Sequence, residues 1–477
     1  MLEKRDFYID GAWVAPKAGT DCDVIDPSTE ETCAVISLGG EADTNAAVAA
    51  AKEAFPGWAT TPKDDRTAVV VRILDVYNAR AEDMSRAISM EMGAPIDLAT
   101  QQQTPAGAWH IKTFIRAAKA FDFDRMLHDK APSDRILYEP VGVCGLITPW
   151  NWPMNQVTLK VIPALLAGCT MVLKPSEIAP LSSIVWSEIL NEAGVPAGVY
   201  NMVNGDGAGV GTQLSTHPDV AMISFTGSSR AGTAITKAAA DTHKRVSLEL
   251  GGKGANIIFA DADEKAVKRG ALHCFNNAGQ SCNAPTRMLV ERARYDKAVE
   301  IAAEVAGKMS VGPSAEPGRH MGPVVSAAQF EKIQGLIQTG IDEGARLVAG
   351  GTGRPEGTNR GYYVRPTVFA DVTNDMTIAR EEIFGPVLSI LPFDTEDEAI
   401  EIANDTPYGL ANYVQSEGGE KLNRVARRLR SGMVEMNGYP RGAGSPFGGM
   451  KASGNGREGG VWGLEDFLEV KAVSGWA

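Results

Sequence analysis

Val143-Cys144-Gly145-Leu146-Ile147-Thr148 is a short, unbroken apolar run carrying β-branched residues, and its reading decides the fold. Runs of the same kind recur at Thr170 to Lys174, Val220 to Phe225 and Ala255 to Phe259, with helical stretches between them. Strands that alternate with helices predict parallel pairing through helical crossovers, the α/β class. After about Gly251 the pattern begins again. Strands are predicted at Arg287-Glu291, Leu347-Ala349, Val387-Leu391, Ala411-Gln415 and Met433-Met436, with helices near Lys297-Lys308 and Ala327-Glu343. Towards the other end, Phe7 to Val14 reads as a hairpin, because Asp10-Gly11 supplies the positive φ angles of a tight two-residue turn. Glu41 to Trp58 and Asp65 to Met92 carry apolar residues at helical spacing, with Asp43 or Thr44 as caps of the first and Gly93 as the stop of the second. The Gly- and Pro-rich stretch from Gly350 to Gly361 reads as a surface loop.

A chain of 477 residues with 44% hydrophobic composition exceeds what one core usually supports, so two or more domains are expected. The formal charge of −13, with no Lys/Arg cluster, argues against a nucleic-acid partner. The charged start Met1 to Asp6 leads into no apolar segment, and the stretch from Val161 to Leu173 is too short to span a bilayer. Six scattered cysteines suggest a reducing cytoplasm, and no membrane partner is expected. The six histidines show no paired ligand spacing, so no metal is expected.

Cys282 stands in Phe275-Asn276-Asn277-Ala278-Gly279-Gln280-Ser281-Cys282-Asn283, a polar Gly-Gln-Ser turn, whereas Cys144 and Cys169 lie in apolar runs that read as packing. Glu249, in Leu248-Glu249-Leu250-Gly251-Gly252-Lys253, offers a carboxylate base to accompany the thiol. Further motifs follow in order: Pro149-Trp150-Asn151-Trp152-Pro153, Lys174-Pro175-Ser176-Glu177, Phe225-Thr226-Gly227-Ser228 with Gly232, Glu382-Ile383-Phe384-Gly385-Pro386, and Ser445-Pro446-Phe447-Gly448-Gly449. Together with the Glu249 and Cys282 segments they cover nearly the whole chain. In this respect the sequence resembles the aldehyde dehydrogenase superfamily, and its hydrolytic, non-acylating branch in particular, since the CoA-acylating branch lacks the base at the Glu249 position.

The resemblance implies a Rossmann-type NAD-binding domain at 1–121 and 140–250, an α/β catalytic domain at 251–445, and a small β oligomerisation element at 122–139 and 460–477. A homodimer or homotetramer is implied. Cys282 would be the nucleophile, Glu249 the general base, Asn151 an oxyanion donor, and Lys160 a supporting residue near Asn151. NAD would be held by Trp150, Lys174, Ser176, Glu177, Gly227, Ser228, Gly232, Glu382 and Phe384. Trp152, Gln156, Tyr439 and Phe447, with Leu159, Ser281 and Asn283, would surround the aldehyde, and Arg441 lies in the loop expected at the pocket mouth. Read without the resemblance, Ser176 and Ser228 are equally helix caps and Asn151 a turn residue. The implied activity is oxidation of an aldehyde to its acid. A semialdehyde carrying a carboxylate and transfer of the acyl group to coenzyme A are the alternatives. The alternating Gly205, Gly207, Gly209 and Gly211 depart from the dinucleotide fingerprint and read as a loop.

Overall fold

The computed structural model describes residues 1–17 and 19–476 of the chain. One seven-stranded sheet runs in the order Arg245–Glu249, Met222–Thr226, Val143–Ile147, Thr170–Lys174, Tyr200–Met202, Phe7–Ile9, Ala12–Val14. Its first five strands are parallel. The strands at 143–147, 170–174 and 222–226 are buried along their whole length, as expected of parallel strands covered by helices on both faces. The chain moves from 143–147 outward to 170–174 and 200–202, then returns to build 222–226 and 245–249 on the other side. That reversal makes a switch point between 143–147 and 222–226, and open α/β sheets bind ligands beyond the strand ends at such a point.

The second seven-stranded sheet has the order Arg346–Ala349, Thr367–Ala370, Val387–Phe393, Arg287–Glu291, Ala255–Ile258, Ala411–Gln415, Met433–Met436, parallel except for the first strand. The two sheets have separate apolar cores, one gathered around Leu146, Leu165 and Trp186, the other around Leu289, Phe369 and Phe393. A three-stranded antiparallel sheet pairs Asp124–Met126 with Asp134–Pro140, and Asp134–Pro140 with Leu468–Ser474. A further three-stranded sheet, mixed, joins Leu2–Lys4 in parallel to Glu31–Leu38, which pairs antiparallel with Thr20–Asp26.

The α/β expectation holds, with local corrections. The hairpin forms, with Asp10 at φ 52° and Gly11 at φ 74°, but it joins the large sheet through Tyr8 and Met202. The first helix, Glu41–Ala59, is capped by Gly40; Asp43 lies one turn in and accepts the Gly40 N–H at 3.0 Å. The helix expected over Asp65 to Met92 is two, Lys63–Ala79 and Ala81–Met92. They break at Arg80, whose guanidinium bridges Asp83 at 2.7 Å and Glu188 at 2.9 Å. Gly93 ends the second at φ 80°, a left-handed position that glycine adopts without steric cost. The strands at 200–202, 245–249 and 367–370 escape the sequence reading: one is three residues long, one is a half-buried edge, and one lies just past the long loop. The alternating glycines are not a plain loop, since Gly207–Gly211 winds into a helical turn capped by Asp206.

Candidate active site

Cys282 lies between the helix Ala266–Phe275 and the strand Arg287–Glu291. The chain reaches it through three consecutive residues with positive φ, Asn277 at 54°, Ala278 at 54° and Gly279 at 72°. Two of these are not glycine, so surrounding bonds must hold a backbone conformation costing about 1–3 kcal/mol per residue. They do. Gln103 Nε2 donates to Asn277 Oδ1 at 3.1 Å, Asn277 Nδ2 to the Asn151 carbonyl at 2.9 Å, and Asn151 Nδ2 to the Gln280 carbonyl at 3.0 Å. Val325 N donates to Gln280 Oε1 at 2.9 Å, and Trp152 Nε1 to Ser281 Oγ at 2.8 Å. Gly279 is obligatory here, because a Cβ would lie 2.1 Å from the Gly385 carbonyl oxygen.

Two cavities meet at this thiol. One, of about 230 Å³, is lined by Trp150, Asn151, Thr226, Gly227, Ser228, Gly251, Glu382 and Phe384 among others. The other, of about 390 Å³, is lined by Trp152, Gln156, Leu159, Asn283, Phe447, His110, Asn155, Glu435 and Arg441 among others. Cys282 is the one residue common to both linings. A larger cavity of about 660 Å³ runs behind Asn276–Ala278 and does not include Cys282, so volume alone does not mark the chemistry.

The first cavity opens at the sheet's switch point. The 143–147 strand delivers Trp150 and Asn151, and the 222–226 strand delivers Gly227 and Ser228. Thr226 Oγ1 is buried without a partner, a polar group left free for a ligand. Ser228 caps the helix Ser229–Ala239, accepting from Ala231 N at 3.3 Å, and Gly232 packs its bare Cα against Leu250. On the opposite wall Glu382 Oε1 accepts from Gly252 N at 2.8 Å, and the Phe384 ring meets Trp150 edge-on at 5.4 Å. Phe384 sits at φ 58°, with its carbonyl held by Gln329 at 2.7 Å. Farther out, Lys174 Nζ and Glu177 Oε2 pair at 3.1 Å beyond the end of the 170–174 strand. Ser176 is no helix cap: its Oγ accepts from Ile178 N, and the next helix starts at Leu181 with its N–H groups on the buried Glu91 carboxylate. A dinucleotide fits this donor set: a helix N-terminus, a carboxylate pair for ribose hydroxyls, and aromatic rings beside the thiol.

Glu249 ends the 245–249 strand with its carboxylate buried and both oxygens unpaired. It lines neither cavity and turns toward Gly448 and Gly456, where a Cβ would stand 2.6 and 2.9 Å from Oε1. Burial first, then the neighbouring Glu458 carboxylate, pushes its carboxyl well above the usual range. Lys160 is not bonded to Asn151. It forms a buried ion pair with Glu458 at 2.5 Å, and that pair adjoins Glu249. Burial, then Glu382 and Glu249, holds the Cys282 thiol far above its ordinary value, so the resting group is a thiol and not a thiolate.

Of the expected aldehyde-pocket residues, Trp152, Gln156, Leu159, Asn283 and Phe447 line the second cavity, and Ser281 acts through Trp152. Tyr439 does not: it is 77% exposed and outside the lining, because its loop turns the ring to solvent while Pro440 and Arg441 face inward. Arg441 Nε binds Glu435 Oε1 at 3.1 Å, and its guanidinium lies 4.9 Å over the Phe447 ring. Glu458, Glu435, His110 and Asn155 belong to the site and escaped the sequence reading: the first three stand in no motif, and Asn155 follows the Pro149–Pro153 motif without being part of it.

A thiol enzyme with a dinucleotide crevice on one side and an enclosed organic pocket on the other is the class this architecture defines. The profile of the aldehyde dehydrogenase family matches residues 13–473, and the chain belongs to that family. It is an oxidoreductase acting on the aldehyde group. A 3-succinoylsemialdehyde-pyridine dehydrogenase from a Pseudomonas species is 50% identical, over all of this chain and 99% of its own length. An aldehyde dehydrogenase structure from Bartonella henselae is 62% identical with a TM-score of 0.99, each chain covered completely. A point variant of aldehyde dehydrogenase C from Pseudomonas syringae, solved with NAD+ and octanal, is 48% identical with a TM-score of 0.97, over 99% of this chain and 97% of that one.

Proposed function

We propose that this chain uses NAD to oxidise an uncharged aldehyde to its carboxylic acid, hydrolysing the acyl group it holds on Cys282. The observation that carries this reading is the position of Cys282 as the one residue shared by a dinucleotide-type cavity and an organic pocket. The Cys282 Sγ proton passes to water, and the sulfur bonds to the aldehyde carbon, giving a thiohemiacetal oxyanion. Asn151 Nδ2 and the Cys282 backbone N–H stabilise this oxyanion, and one such donor is worth roughly 3–4 kcal/mol in a transition state. Bound NAD supplies the hydride acceptor that makes the acyl group on sulfur a thioester. Glu249 then takes a proton from water at the acyl carbon, and its carboxylate is near enough to raise the Cys282 thiol. Lys160 favours the charge that Glu249 carries, while Glu458, its ion-pair partner, opposes it.

The cofactor rests on residues 1–121 and 140–250, with Lys174 and Glu177 on the adenosine ribose and Glu382 on the nicotinamide ribose. Residues 251–445 supply the thiol and most of the other wall. The sheet built from 124–126, 134–140 and 468–474 leaves Val470 64% exposed on an edge strand, which suits pairing between copies in a homodimer or homotetramer. The six cysteines are all free, in keeping with a cytoplasmic setting, and no helix among the described residues is long and apolar enough to cross a membrane. Measuring NADH formation over an aldehyde panel, with and without coenzyme A, tests the reading: acid forms without coenzyme A. Turnover only with coenzyme A would reassign the chain to acyl transfer.

Glu177→Ser is expected to raise relative use of NADP by about tenfold, because it removes a carboxylate facing a 2′-phosphate and frees Lys174 Nζ from its pair. Cofactor kcat/KM ratios read this out, and equal use of both cofactors by the wild type would defeat the argument.

The Pseudomonas relative's name joins a semialdehyde to a pyridine ring through a succinoyl group, which leaves no carboxylate, and a carboxylated semialdehyde is the alternative to be tested. Here Arg441 is already bound to Glu435 and stacked on Phe447, and Glu435 repels a second carboxylate. Neutral aldehydes are therefore expected to exceed succinic semialdehyde in kcat/KM, with Arg441→Ala changing the succinic semialdehyde value less than about threefold. A strong semialdehyde preference that vanishes in Arg441→Ala would overturn the neutral pocket.

A further inference from the structure

The aldehyde cavity holds a polar pair that the chemistry above does not use. His110 Nε2 and Asn155 Oδ1 lie 2.7 Å apart on its wall. His110 Nδ1 is buried with no partner, which settles the tautomer. A proton on Nδ1 would be an unpaired buried donor, whereas a bare lone pair there is more easily tolerated. The proton therefore sits on Nε2 and is donated to Asn155 Oδ1. Burial, reinforced by the Arg441 charge and opposed by the Asn155 hydrogen bond, lowers the imidazole to about 4, so His110 stays neutral near pH 7.

With Oδ1 occupied, the Asn155 amide has one orientation, and its Nδ2 makes no hydrogen bond among the described residues. Asn155 is also the one residue of the helix Pro153–Ala167 that is not buried. Its amide N–H groups therefore open onto the cavity, beyond Cys282 as seen from the cofactor side. A donor placed there selects for an acceptor. Trp152 and Phe447 make the surrounding wall apolar, and the Glu435 carboxylate disfavours an anion.

We propose that Asn155 is a specificity-determining residue, donating from Nδ2 to an uncharged acceptor, a carbonyl or ether oxygen or a ring nitrogen, carried by the aldehyde beyond its reacting carbon. His110 is the positioning residue that fixes the amide. This rests on the aldehyde reading above, since Cys282 anchors the carbonyl while Asn155 reads what lies farther along the substrate.

The test compares kcat/KM of the full-length enzyme with NAD for hexanal against 4-oxohexanal and 5-oxohexanal, and for benzaldehyde against pyridine-3-carbaldehyde. At least one acceptor-bearing compound is expected to be favoured by roughly three- to tenfold, the equivalent of one net hydrogen bond. The open-chain pairs differ remotely from the aldehyde carbon, and comparing each ratio across variants cancels intrinsic reactivity. In Asn155→Leu the ratio falls to about one. In His110→Phe it falls mainly through a higher KM for the acceptor-bearing compound, and His110→Gln, whose amide N–H can replace the donor, restores most of it. A wild-type ratio of one throughout, or a preference that survives Asn155→Leu in folded protein, overturns the proposal. If none of the aldehydes is oxidised, the failure belongs to the proposed function instead.

Discussion

Cys282→Ala is expected to abolish NADH formation from every aldehyde, a loss of at least about 10⁴-fold, because neither cavity is lined by a second thiol to form the adduct. Cys144, Cys169 and Cys274 are buried in the sheets and their flanking helices, and Cys22 and Cys33 lie on the three-stranded sheet near the start of the chain. The substitution should not disturb folding. Cys282 is half-buried at the meeting point of two cavities, its sulfur makes no hydrogen bond to another of the described residues, and the loop is held through Asn277, Gln280 and Ser281. Loss of one sulfur atom beside open space costs far less than the 2–5 kcal/mol of a large-to-small change in a packed core. The melting temperature and the affinity for NAD should therefore stay close to wild type. Turnover above background with an unchanged melting temperature would mean that another nucleophile carries the reaction.

What could be read from the sequence follows from how local each signal is. The strands at 143–147 and 170–174 were legible because burial on both faces demands an unbroken apolar run. Arg245–Glu249 was not, because its residues alternate with charge at a half-exposed edge. The break at Arg80 depends on a bond to Glu188, more than a hundred residues away, and no helical spacing carries that information. Cys282 and Asn151 stand in distinctive segments, and the structure brings them onto one cavity wall. The partner of Lys160 did not announce itself, since Glu458 is 298 positions distant in a glycine-rich stretch. Tyr439 shows the limit of motif placement: the loop reaches the pocket through Pro440 and Arg441, yet the Tyr439 side chain lies in solvent. The His110–Asn155 pair could be found only in three dimensions, as neither residue has a neighbour in sequence that suggests hydrogen bonding.

Glu249→Gln is expected to split the reaction in two, giving a burst of about one NADH per active site followed by a steady rate lowered by roughly 10² to 10⁴-fold. The amide keeps the shape of the carboxylate but cannot take a proton from water, so Cys282 still forms the thioester and only its hydrolysis is lost. The fold should tolerate the change. Both Glu249 oxygens are buried without hydrogen bonds, and the nearby Glu458 carboxylate repels a charge at that position, so a neutral amide lowers the cost of burial. The same environment sets the pH dependence. Because burial and Glu458 raise the Glu249 carboxyl, its base form grows as pH rises through that elevated value, and wild-type turnover should climb over the same interval. In Glu249→Gln that rise disappears from the slow phase, leaving only the increase due to hydroxide and to other groups. Rapid-mixing absorbance at the NADH band, followed across pH, separates the two phases. If the burst itself is lost while NAD still binds, Glu249 acts before the thioester forms, as the base that takes the proton from Cys282 Sγ.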